Sequence, residues 1–141
     1  MGTSVAVAGA VTFLWLGMVL AISFLEAPLK FGAPGVTVRT GLAIGRRVFR
    51  ALNTAEVVLA LALLITTALG PPPVPAAVAL VLAAATLLLQ LVAVRPRLNR
   101  HTDAVLAGAD APRSRGHHAY IALETVKVVA LAVGGIIPLA G

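Results

Sequence analysis

Three carboxylic acids, two amides and one lysine stand at the ends or inside of long hydrocarbon runs: Glu26, Asn53, Glu56, Gln90, Glu124 and Lys127. Ionisable groups in such surroundings are costly to hold, and where they occur they neutralise one another, bind an ion or move a proton. Asn53 and Glu56 are three residues apart, and His117, Tyr120, Glu124 and Lys127 follow steps of three, four and three, so each set lies along one helical face. With a rise of about 1.5 Å per residue, Glu56 lies roughly 15 Å along a helix starting near Arg46, and Lys127 roughly 15 Å along one starting near His117. Asn53 and Glu124 match in the same way at roughly 10 Å. These heights predict two helices that bring Glu56 opposite Lys127, with Glu26 and Gln90 nearby. Three carboxylates against one lysine leave negative charge for Arg46, Arg47, Arg50, protons or a bound cation to balance. Glu56 and Lys127 alone would serve equally well as glue between helices.

Metal chemistry finds less support. Carboxylate-bridged metal sites in four-helix bundles use Glu-x-x-His pairs, and neither that spacing nor His-x-x-x-His occurs here. His101, His117 and His118 fall outside the apolar runs, so no deep histidine offers itself to haem. The expected metal ligands are therefore none, and no cofactor is specified. With no cysteine there is no thiolate ligand, thiol nucleophile or disulfide. The glycines of 35–45 are not a phosphate loop, since no strand precedes them and no Gly-Lys-Ser/Thr follows.

The elements that must position these groups follow from how charge is distributed. Every charged residue lies in Glu26–Glu56 or Arg95–Lys127, and residues 57–94 carry none. Composition is 60% hydrophobic and 11% charged over 141 residues, outside the soluble globular range. A bilayer core needs about 20 apolar helical residues, and four segments meet that length, about 4–27, 48–69, 75–94 and 118–138. The expected fold is an all-α, single-domain integral membrane four-helix bundle running up-down-up-down. The first span lacks a basic leading segment and reads as a retained helix, closed by Glu26 before an Ala27–Pro28 break. Gly70 to Pro75, with three consecutive prolines, is a tight uncharged turn. Residues 28–47, with Lys30, Arg39, Arg46 and Arg47, and 95–117, with Arg95, Arg97, Arg100, Arg113 and Arg115, are expected as basic loops on one side. Arg50 stands just inside the second span. The positive-inside rule makes that side cytoplasmic and puts both termini outside, in the cell inner (plasma) membrane. Asn99–Gly108 either extends the third helix or forms a short surface helix, and Asp110–Pro112 turns the chain toward the fourth span. This explains the net charge of +6 without nucleic acid, for which no aromatic-interleaved basic patch is present. Phe13 and Trp15 suit an interfacial belt or bundle packing.

The stretch from Trp15 to Phe31, with Trp-x-Gly leading to Ala27-Pro28-x-x-Phe31, resembles the first span of small four-span membrane proteins similar to transmembrane protein 205. Gly45 to Asn53 is similar to that family's start of span two, and His117 with Glu124 resembles a His and an Asn in its last span. Here the second of these is a glutamate. The resemblance implies the four-span layout and little biochemistry. A more distant likeness is to the copper resistance D and HemJ-type protoporphyrinogen oxidase group, whose histidine within a span has no counterpart here.

Two function classes follow, with a third beside them. In the first, Glu26, Asn53, Glu56, Gln90, His117, Tyr120, Glu124 and Lys127 line a cytoplasm-facing vestibule that binds a cation or proton for transport. A transporter this small calls for a homodimer, and Ala76, Ala77, Ala79, Ala83, Ala84 and Ala85 offer a small-residue face for close helix contact. In the second, the chain is a membrane-embedded enzyme or cofactor binder. Its basic residues hold the anionic head group of a lipid, quinone or porphyrin, with Glu124 or His117 as general acid or base. The third is an accessory subunit of a membrane complex.

Overall fold

The computed structural model describes residues 2–108 and 115–140, and helix is the regular structure among them. There are four long helices: α1 (Thr3–Phe31), α2 (Val38–Leu69), α3 (Val74–Leu106) and α4 (Arg115–Ala140). All four are long and apolar enough to cross a membrane. The turn expected at Asp110–Pro112, together with Arg113, lies outside the described residues.

The helices reach further than their apolar cores. Thr37 caps α2 by accepting a hydrogen bond from the Thr40 amide at 3.1 Å, so α2 starts at Val38 and takes Arg39, Arg46 and Arg47 into its first turns. The connection from α1 is only 32–37, and it turns on Gly35 at φ 81°, where a side chain would be strained. α3 continues through Arg95, Arg97 and Arg100 and ends before Gly108, which has φ 98°. Most of the two basic stretches expected as loops, 28–47 and 95–117, is thus helical. Apolarity measures what can sit in hydrocarbon, whereas a helix ends only where backbone pairing or geometry stops it.

Nor does α1 break at Ala27–Pro28. Residues Leu20–Glu26 widen into a π-helical turn in which the Ala27 amide bonds to the Ile22 carbonyl, five residues back. α3 does the same over Gln90–Val94, where the Arg95 amide bonds to the Gln90 carbonyl ahead of Pro96. Proline has no amide proton, and its ring clashes with the carbonyl four residues earlier. A wider turn just before it takes up that displacement and lets the helix continue. The two bulges therefore follow from the two prolines, and each swings a polar residue inward: Ser23 on α1 and Gln90 on α3.

Opposite ends of neighbouring helices meet. A side chain at Gly70, closing α2, would touch Ser4 at the start of α1, and one at Gly41 would touch Phe31 at the end of α1. Gly134 and Gly135 of α4 lie against Leu80 of α3 and Phe13 of α1. The apolar core fills the half of the bundle away from the basic ends and includes Ala8, Val19, Leu63, Leu80, Ala83, Leu87 and Leu131. Ala76, Ala79 and Ala83 are buried inside the chain's own bundle, whereas Ala84 and Ala85 stay exposed. Thr12, Thr66, Thr67, Thr86 and Thr125 return their hydroxyls to carbonyls one turn back in their own helix, so they need no water. The outer surface is hydrocarbon, with Leu64 66% and Val81 68% exposed, which water solvates poorly.

Gly134 has no room for a side chain, since a Cβ would come within 2.7 Å of Leu80 Cδ2, while Gly9 faces open space. Gly134→Val should destabilise the bundle by about 1–3 kcal/mol through overpacking. Thermal unfolding in mild detergent, with Gly9→Val as control, checks this. Equal melting temperatures for the two variants would show that α3 and α4 are not packed this closely.

Candidate functional site

All four helices place a polar group at one point below the basic end. Lys127 lies at its centre: its Nζ is 2.5 Å from Glu56 Oε1 and 2.6 Å from Glu124 Oε1, and it donates to Gln90 Oε1 at 2.7 Å. An ammonium has three protons, and these three oxygens take them all. Gln90 Nε2 donates to Glu124 Oε1 at 3.0 Å, and the Ser23 hydroxyl donates to Glu124 Oε2. Trp15 Nε1 donates to Glu56 Oε1 at 2.9 Å. Glu56 Oε2 has no hydrogen-bond partner.

The cluster is dry, with Glu56, Glu124 and Lys127 each 0% exposed. Two carboxylates share one ammonium, so with every group ionised the cluster carries a net charge of −1. Taking charges out of water costs several kcal/mol each, which close pairing recovers only with good geometry and further hydrogen bonds. Trp15, Ser23 and Gln90 supply those bonds.

The remaining expected residues go elsewhere. Glu26 is not in the cluster: it lies 3.5 Å from Lys30, one turn on, because the π-helical turn rotates Ser23 rather than Glu26 toward Glu124. Asn53 is buried but its Oδ1 has no partner, and it faces a cleft of about 240 Å³ between α2 and α3, with Arg46, Arg50 and Arg95. Tyr120 is buried edge-on to Phe49 at 5.6 Å between ring centres. The Arg95 guanidinium sits 4.7 Å from the Tyr120 ring centre and 5.1 Å from that of Phe49, a cation–π arrangement. His117 stands on a cavity wall, its ring 5.9 Å from that of His118. Arg47, Arg50, Arg97 and Arg100 are exposed.

That cavity is larger than the cleft at Asn53. It measures about 500 Å³ and all four helices contribute to it, within the roughly 300–1,000 Å³ usual for small-molecule sites. Its walls are mostly apolar, with Phe31, Val38, Leu42, Phe49, Leu98, Val105 and Ile121 among them. The charged groups lining it are Lys30, Arg46 and Arg95, with His101 and His117 beside them, and no described acid lines it. Lys30 is buried without a hydrogen-bond partner for its Nζ, and Nε and Nη2 of Arg95 are likewise buried without acceptors. Arg46 is held by Asp103 at 2.5 Å, which ties α2 to the end of α3.

The carboxylates of the cluster line neither cavity. Of the residues expected to line a vestibule, Asn53, His117 and Tyr120 do line these cavities, whereas Glu56 and Glu124 are bonded by Lys127, Gln90, Ser23 and Trp15. Ser23 alone belongs to both places: it lines the large cavity and bonds Glu124. Spacing arguments passed over Trp15, Ser23 and Lys30. Trp15 had a legible signal, since it lies at a depth comparable to Glu56 and a buried indole N–H seeks an acceptor. It is fully buried in the bundle rather than in an interfacial belt. No protein-family model matches the chain, and neither does any curated protein or solved structure.

Replacing Lys127 with methionine strands two carboxylates in hydrocarbon. Lys127→Met should cost about 3–5 kcal/mol, read as a lower melting temperature and folded yield in detergent. Adding Glu56→Gln and Glu124→Gln to Lys127→Met should recover most of the loss, because no unpaired charge then remains. A triple variant no better than Lys127→Met would show that lost packing, not charge, is responsible.

Proposed function

We propose that this chain is a four-span protein of the plasma membrane whose large cavity binds an amphipathic anion, a molecule with an apolar body and an acidic head group. The observation that carries this is the lining: apolar walls joined by buried, acceptor-less donors of Lys30 and Arg95, with no described carboxylate among them. A guanidinium held against two aromatic rings keeps its remaining N–H groups for an anion. Lys30 is balanced by Glu26 at 3.5 Å and Arg46 by Asp103, so the guanidinium of Arg95, which has no described acid beside it, is the charge that favours an anion over a cation there. The meeting helix ends support an up-down-up-down path, and the clustering of arginine at one end supports placing that end in the cytoplasm. Both termini then lie outside, and the cavity draws on the inner leaflet, where anionic amphiphiles reside.

Two measurements test this. Decane-1-sulfonate, which stays ionised at all working pH values, should bind the purified chain in mild detergent in preference to decyltrimethylammonium or decanol of the same length. Arg95→Gln and Lys30→Met should each weaken binding about tenfold, equivalent to about 1.4 kcal/mol. Equal affinity for the ammonium analogue, or binding indifferent to both substitutions, would sink the anion reading. Separately, a C-terminal reporter active only outside the cytoplasm should be active. An inactive one, with a cytoplasmic reporter active in its place, overturns the orientation.

A further inference from the structure

The buried cluster and the cavity share one residue, Ser23. Ser23 is one of the residues lining the cavity, and its hydroxyl donates to Glu124 Oε2. Behind it, Glu56 and Glu124 share the single ammonium of Lys127, and Glu56 Oε2 has no partner. One added proton makes that group of three neutral, and a carboxylic acid is the form that hydrocarbon tolerates. An anion in the cavity would lie close to the excess negative charge with little water between them, where Coulomb repulsion is strong.

We infer that the Glu56–Glu124–Lys127 cluster is a proton site linked to the cavity through Ser23, so that the protein takes up its anionic ligand together with one proton. This rests on the cavity being the anion site proposed above. The transfer balances without any oxidant or co-reactant. The Ser23 proton moves to Glu124 Oε2, Ser23 Oγ accepts another from the cavity, and Glu124 becomes a neutral acid. By linkage, the anion strengthens proton binding by the same factor as the proton strengthens anion binding.

Other titratable groups around the cluster must be separated from it. From α1, Glu26 and Lys30 face each other at 3.5 Å. From α2, Glu56 belongs to the cluster and Arg46 is paired with Asp103. From α3, Gln90 is neutral, Arg95 lies over the Tyr120 ring and His101 lines the cavity. From α4, Tyr120 and His117 line the cavity beside Lys127 of the cluster. His101 and His117 are the histidines on the cavity wall, so substituting them separates their contribution from that of the cluster.

Trp15 supplies a reporter that the histidines do not touch. It is the only tryptophan in the chain, and its indole N–H bonds Glu56 directly. Its emission, followed from about pH 5 to pH 10 in the full chain in mild detergent, should show one single-proton transition. Saturating decane-1-sulfonate should move the midpoint up by about one pH unit or more, and sulfonate affinity should fall about tenfold across the transition. His101→Asn with His117→Asn should leave the transition in place. Glu124→Gln and, independently, Glu56→Gln should abolish it while the sulfonate still binds, now with an affinity indifferent to the transition's pH range. Helical circular dichroism confirms that each variant is folded. Flat Trp15 emission, loss of the transition in the histidine double variant, or a transition that bound sulfonate does not shift each overturns the linkage. Failure of the sulfonate to bind at all overturns the anion reading, and the linkage with it.

Discussion

Lys127 is the interaction on which the rest of this bundle depends. Its ammonium is fully buried, and its three protons go to carboxylates on two different helices and an amide on a third. Removing such a group from water is costly, and the cost is offset only while all three acceptors stay in place. Sliding α2 or α3 by a residue would move its acceptor by about 1.5 Å and rotate it by about 100°, breaking a bond to the ammonium. Apolar packing alone gives these helices little reason to prefer one register, since their outer faces are mostly aliphatic and lipid tails solvate them as well as neighbouring helices do. The ion cluster supplies the specificity that hydrocarbon lacks.

The prolines set the shape around it. Pro28 and Pro96 each follow a π-helical turn, and those turns aim Ser23 and Gln90 at Glu124. A regular α-helix through either segment would carry that residue to another face. Beyond these turns the basic ends of the helices surround the cavity, with Phe31 and Val36 of the α1–α2 connection region in its lining. Proline thus forces the bulges that complete the charge network.

Charge sign is sorted by depth. The acids of the deep layer are paired with Lys127 and sealed, whereas in the shallower layer Lys30 and Arg46 stand beside Glu26 and Asp103, and Arg95 keeps two buried N–H groups without acceptors. A cavity with such walls attracts anions, even though the most conspicuous residues in the sequence are carboxylates. Ser23 is the point where the two layers touch. Its position makes the protonation of the inner layer sensitive to what fills the outer one.

The sequence by itself determined four apolar helices and the pairing of Glu56 with Lys127 at matched depth, because hydrophobic run length and helical rise are local quantities that add along the chain. It also carried the bias of basic residues to one end. Tertiary structure alone decided that Glu26 stays with Lys30 outside the cluster, and that Trp15 and Ser23 complete it. It also decided that the open space is lined by bases rather than acids. Each of those outcomes depends on how far a helix is rotated about its axis. Two proline-induced bulges set that rotation, and no periodicity count can follow a helix through a change in its own pitch.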